Sequence, residues 1–124
     1  ELITEYIRFK EIIREADLVI TGEGRIDRQT LFGKVPVGIA HIAASQHIPV
    51  IAITGQVETD AETDKQLLQA GLSAIFPIHP APVSLEEAMH PNYAFRNIRR
   101  TIEQTCRTLL IFVNKKDINT DHKI

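Results

Sequence analysis

Between residues 21 and 36 the chain reads Thr21-Gly22-Glu23-Gly24-Arg25-Ile26-Asp27-Arg28-Gln29-Thr30, then Gly33-Lys34-Val35-Pro36. Glu23 and Asp27 supply carboxylates that could take up a proton or help hold a magnesium ion. Arg25 and Lys34 supply cations suited to phosphate or carboxylate. Gly22, Gly24 and Gly33 permit left-handed backbone and close approach of a ligand to the main chain. The free N–H groups at the start of a helix after Pro36 would add an anion site. By composition alone the signal is a common one. Gly-x-Gly after a strand recurs widely, and neither a Walker pattern nor a full dinucleotide fingerprint is present. A solvated connector fits the same residues, and Glu23 and Arg25 could instead pair with each other or with a neighbouring domain.

The elements that must position this stretch follow from apolar spacing. Residues 1–16 place Leu2, Ile3, Tyr6, Ile7, Phe9, Ile12, Ile13 and Ala16 at helical intervals, and Asp17 ends the run. Leu18 to Gly22 reads as a short buried strand stopped by glycine. Residues 22–34 read as a polar loop. Pro36 suits a first helical turn, and Val37 to Ala44 continue as a small buried helix. A second strand spans 50–55, and residues 56–59 are loop. Thr59 and Glu62 have capping-box spacing for a helix that closes at Gly71, and a third strand covers 74–76. His79-Pro80-Ala81-Pro82 is a rigid connector. Ser84 and Glu87 cap a short helix, and a long helix follows from about Tyr93 to Val113, with Ala94, Ile98, Ile102, Cys106 and Leu109 as its apolar stripe. Cys106 is expected to be a small core hydrophobe, and residues 114–124 a frayed polar tail.

Two strands end alike, Ile20-Thr21-Gly22 and Ile53-Thr54-Gly55, at a distance that suits one β–α–β unit. Apolar strands alternating with helices predict a three-layer α/β fold with a short parallel sheet of about three strands. Right-handed crossovers place both Thr-Gly ends on one sheet edge, where open α/β sheets bind ligands. Thr54 and Gly55 therefore join the candidate site. One domain over 1–113 accounts for the length.

Basic and acidic residues nearly balance, 14 against 16, so a nucleic-acid footprint is not expected. The absence of tryptophan and the scarcity of other aromatics argue against base-stacking platforms. A single cysteine gives no sign of a disulfide framework, and no signal peptide or membrane-length apolar run is visible, so a cytoplasmic protein is the default. His41 and His47 read as packing or capping residues. His79 and His90, beside prolines, lack ligand spacing for a metal. Glu1 falls inside a helical pattern, which suggests a portion of something longer.

The run Val19 to Asp27, followed by Gln29-Thr30, Gly33-Lys34 and Pro36, resembles the signature of the glycerate kinase family, glycerate 2-kinases included. The likeness extends from about residue 16 to 112, through Ala70 to Phe76 and Ser84 to Ala88, and resembles the C-terminal portion of such enzymes. It implies a Rossmann-like piece of a larger two-domain kinase, with the active site in a cleft to which the rest of the polypeptide contributes. It implies phosphoryl transfer from ATP, with Mg2+, to D-glycerate, giving a phosphoglycerate and in many bacterial members 2-phosphoglycerate. On that reading Asp27, Glu23 and Arg25 are catalytic, with Asp27 or Glu23 toward the metal. Gly22, Gly24, Gln29, Thr30, Gly33, Lys34, Thr54 and Gly55 bind substrate or phosphate. The chain alone is then expected to be inactive, and to self-associate through apolar surface left uncovered. A non-catalytic α/β binding or regulatory module is the rival reading.

Overall fold

A computed structural model describes the backbone of residues 2–121, and side chains outside positions 2–4, 6 and 116–121. The chain divides into two compact units, Glu1–His79 and Pro80–Ile124.

The first unit runs α1 (Leu2–Ile12), a 3-10 turn (Ile13–Glu15), β1 (Val19–Asp27), a 3-10 turn (Arg28–Leu31), α2 (Val35–Ala44), β2 (Val50–Glu58), α3 (Ala61–Gln69) and β3 (Leu72–Pro77). The three strands are parallel in the order β1-β2-β3. The fold is therefore α/β, a short parallel sheet flanked by helices. Val19, Val50 and Leu72 stand in register, as do Thr21, Ala52 and Ile75. The apolar members of these rows, Val19, Val50, Leu72, Ala52 and Ile75, meet Val37, Ala40 and Ala43 of α2, Leu67 of α3, and Phe9, Ile13 and Ala16 before β1 in one apolar cluster. Alanine predominates where α2 lies closest. Gly71 is obligatory for the same reason: its φ is +113°, and a Cβ there would sit 2.6 Å from the Ala40 carbonyl oxygen.

Several expectations need correction. The loops expected at 22–34 and from 55 onward are largely strand, since β1 runs to Asp27 and β2 to Glu58. Gly22 and Gly24 lie in extended backbone, and of the site glycines only Gly33 takes a positive φ, +88°. The covered positions of β1 change phase at Gly24 and Arg25. Val19, Thr21 and Glu23 are the better covered before it, and Ile26, fully buried, after it. Gly24 faces Gly55 at that point, and a Cβ on Gly55 would lie 2.8 Å from the Gly24 carbonyl oxygen. The bare backbones approach there, which lets both strands continue past residues that would ordinarily stop them.

Helix α3 is capped by Asp60, whose carboxylate accepts from the Thr63 N–H at 2.7 Å, in place of the expected Thr59. In α1, Ile7 and Ile12 are exposed. His47 sits at φ +59° just beyond α2, where the Ile48 N–H returns to the Ala43 carbonyl at 2.9 Å; it closes the helix as a capping residue.

The second unit holds α4 (Leu85–Ala88) and α5 (Pro91–Asp121). The Ser84 hydroxyl accepts from the Glu87 N–H at 3.2 Å, as its cap spacing predicts. Helix α5 continues past Val113 in place of the polar tail expected from 114; residues 122–124 lie outside the described residues. Its covered positions are Tyr93, Ala94, Asn97, Thr101, Ile102 and Thr105, so of the expected stripe Ala94 and Ile102 are covered, while Cys106, Ile98 and Leu109 are exposed. Cys106 is thus not a core residue. Thr101 and Thr105 can turn inward because each hydroxyl donates to the carbonyl four residues before it, at 2.7 and 2.8 Å.

Candidate functional site

The carboxyl ends of β1 and β2 carry the charged residues that the sequence singles out. Arg25 stands opposite Gln56 in the parallel register, and Asp27 opposite Glu58. Arg25 Nε meets Asp27 Oδ2 at 3.2 Å, and Arg25 Nη2 pairs with Glu58 Oε2 on the neighbouring strand. Gln56 Nε2 donates to the other oxygen of Glu58. One guanidinium is therefore gripped by carboxylates from two strands, one of them braced by an amide. Arg25 and Glu58 are about half exposed, at 53% and 47%, whereas Asp27 is only 18% exposed. The Arg25–Glu58 pair therefore adds little to stability, and its interest lies in orientation.

Asp27 is fixed from the other side as well. Its Oδ1 accepts from the Gln29 N–H at 2.9 Å, and its own N–H donates to Thr30 Oγ1 at 3.0 Å. This reciprocal capping box starts the 3-10 turn Arg28–Leu31. Thr30 is fully buried, so its hydroxyl holds the turn and not a ligand. Gln29 enters the arrangement through its backbone. Thr54, 1% exposed, donates its hydroxyl to the Gln56 carbonyl at 3.0 Å, within the same strand.

Glu23 does not pair with Arg25. Half-buried opposite Thr54, it makes no ion pair among the described residues. Gly22 and Gly24 are open, with nothing within 4 Å of a Cβ at Gly24. Gly33 and Lys34 lead into α2, where the carbonyl of Lys34 accepts the first helical N–H bonds and its side chain makes no capping bond. No ion pair joins Lys34 to the Arg25 group. Among the described residues, no three His, Cys, Asp or Glu side chains converge as a metal site.

Sequence reasoning missed Glu58. The repeated Ile-Thr-Gly would have found it, because aligning the two strand ends sets Arg25 against Glu58. The actual register is shifted by two residues, and Arg25 reaches Glu58 diagonally.

The chain as a whole has relatives. The model of the glycerate kinase family matches residues 1–110. The glycerate kinase of Bacillus subtilis (strain 168) is 40% identical over 109 residues, which cover 88% of this chain and 26% of that protein. The glycerate 2-kinase of Escherichia coli (strain K12) is 39% identical over 111 residues, covering 90% of this chain and 28% of that one. A crystal structure from Salmonella typhimurium LT2, provisionally assigned as glycerate kinase 2, superposes with a TM-score of 0.59 at 36% identity, over 89% of this chain and 25% of that chain. The chain thus spans about a quarter of the length of these relatives. The shares covered do not identify that quarter as the C-terminal one, and the C-terminal placement expected from the resemblance is withdrawn.

Proposed function

The chain belongs to the glycerate kinase family, and on that footing we propose that it forms part of a site that transfers the γ-phosphoryl group of ATP to D-glycerate. The product is a phosphoglycerate, 2-phosphoglycerate in this reading. The observation that carries it is the Arg25 guanidinium, held at the carboxyl edge of a parallel sheet by Asp27 and Glu58 with part of its donor set unspent. Phosphoryl transfer asks mainly for positioning and charge neutralisation, and a fixed guanidinium provides both.

In this reading Arg25 meets an oxyanion of substrate or phosphate. Lys34 adds a mobile point charge where the first N–H groups of α2 point outward. Gly22, Gly24 and Gly33 let the ligand approach the backbone. Asp27, with one oxygen on Gln29 and the other on Arg25, orients the arginine; Thr30, Thr54 and Gly55 shape the strand ends beneath it. Glu23, the unpaired carboxylate, fits magnesium better than Asp27, because that ion commonly takes one or two carboxylates and completes its shell with phosphate oxygens and water. When bound, magnesium would neutralise charge on the β- and γ-phosphates.

The test is ATP- and magnesium-dependent phosphorylation of D-glycerate, followed by product analysis, in a full-length protein carrying this sequence and in the 124-residue chain. Activity in the first and none in the second is expected. A folded full-length protein that phosphorylates no glycerate would favour the binding-module reading.

A further inference from the structure

Nε and Nη2 of an arginine lie on one edge of the guanidinium, and in Arg25 that edge is divided between two strands. Nε goes to Asp27 on its own strand, and Nη2 goes to Glu58 on the next. Two contacts to separately anchored acceptors stop rotation about the Nε–Cζ bond, which a single contact would leave free. Glu58 is anchored in turn by the Gln56 amide on its second oxygen. What remains is Nη1 with the outer N–H of Nη2, the end-on fork that fits two oxygens of a phosphate or carboxylate.

We propose that Glu58 is a positioning residue. Braced by Gln56, it holds Arg25 so that the Nη1 edge faces an incoming anion. The proposal rests on the reading above that Arg25 meets an anion. Its opposite is that Glu58 competes for the arginine, occupying the place a ligand oxyanion should take. The two differ in sign, because a competitor's removal tightens anion binding and a support's removal weakens it.

The experiment uses the 124-residue chain, nitrogen-labelled at arginine, with inorganic phosphate as the probe. The readouts are the side-chain Nη signals of Arg25 and their shifts during titration. In the unsubstituted chain, hindered rotation is expected to resolve Nη1 from Nη2, and phosphate is expected to move them. Glu58→Gln keeps an acceptor oxygen and removes a charge, so the signals stay resolved and phosphate binds as before or more tightly. Glu58→Ala removes the acceptor. The signals then merge, and phosphate binding weakens about fivefold, the equivalent of one hydrogen bond. Backbone amide shifts of Ile26 and Val57 establish that each variant is folded. Tighter phosphate binding by Glu58→Ala, or Nη signals unchanged by it, overturns the proposal. Signals that are resolved in the parent and merge in Glu58→Ala, with no response to phosphate in either, sustain the positioning role and remove the anion role from Arg25.

Discussion

Gly24 and Gly55 face each other where the two strands pass beyond their apolar stretches, and only one of them must be glycine. A Cβ on Gly55 would stand 2.8 Å from the carbonyl oxygen of Gly24, a backbone atom that cannot yield without moving the strand. A Cβ on Gly24 meets nothing within 4 Å. Gly55→Ala should therefore cost about 1–3 kcal/mol, as overpacking does, and Gly24→Ala should stay within roughly 0.5 kcal/mol. Urea unfolding of both variants checks the contrast, and equal midpoints would refute it. At the neighbouring Asp27, exchange for Asn keeps an oxygen for the Gln29 N–H but turns an amide toward the guanidinium. With Arg25 released, the proposed glycerate phosphorylation by a full-length protein carrying this sequence should fall about a hundredfold, in line with the cost of misplacing a catalytic group. Near-normal turnover would remove Asp27 from the site. The candidate residues themselves were legible in the sequence because charge and glycine cluster after an apolar run. The partner Glu58 is reachable in the sequence only through the Ile-Thr-Gly repeat, and the diagonal contact itself depends on a register, shifted by two residues, that composition does not encode.

At the level of elements, helix α3 shows how a cap ties stability to pH. The carboxylate of Asp60 is held below its ordinary value of 3.8, chiefly by the hydrogen bond with the Thr63 side chain and then by the Thr63 backbone N–H. A lowered folded-state value means that the ionised form is favoured by folding. The stabilisation is present above the unfolded value and is lost as pH falls through the folded one. Asp60→Ala should thus melt below the parent at neutral pH, with the gap closing under strong acid. Asp60→Asn keeps a good capping oxygen and should show no such convergence. Melting curves collected from neutral to strongly acid pH decide it, and a gap for Asp60→Ala that is constant with pH would refute the assignment. The starts of β1, α2 and β2 were readable, since β-branched runs and Pro36 mark them, whereas β3 and α5 each begin two residues before the expected 74 and 93. Ends were not. Gly22 and Gly55 read as stops, yet β1 and β2 support each other's backbone hydrogen bonds to Asp27 and Glu58. Thr59 and Asp60 both suit the cap by residue type, but it is Asp60 that accepts the Thr63 N–H, while the Thr59 hydroxyl donates to Asp64.

For the molecule as a whole, the unresolved balance is apolar surface. Leu110, Ile111, Phe112 and Val113 are consecutive in α5, so they point around the helix and not along one stripe, and they are 52–67% exposed. Helical segments that are apolar on all sides are ordinarily covered, and exposed apolar patches of this kind mark association surfaces. The chain also spans only about a quarter of its relatives' length, which fits the reading that other segments of the family's polypeptide cover such surface. Alone in solution the 124-residue chain should therefore associate, with a mass by light scattering that rises with concentration. The paired change Ile111→Glu and Phe112→Lys should shift it toward monomer without unfolding it, since both positions are exposed and both new residues tolerate a helix. Association that persists in this variant would move the contact to the sheet, where Ile20 and Phe76 are about 40% exposed on its two outer strands, β1 and β3. A parent chain that stays monomeric at every concentration would show that four apolar side chains on one turn of α5 are not enough to draw a second copy.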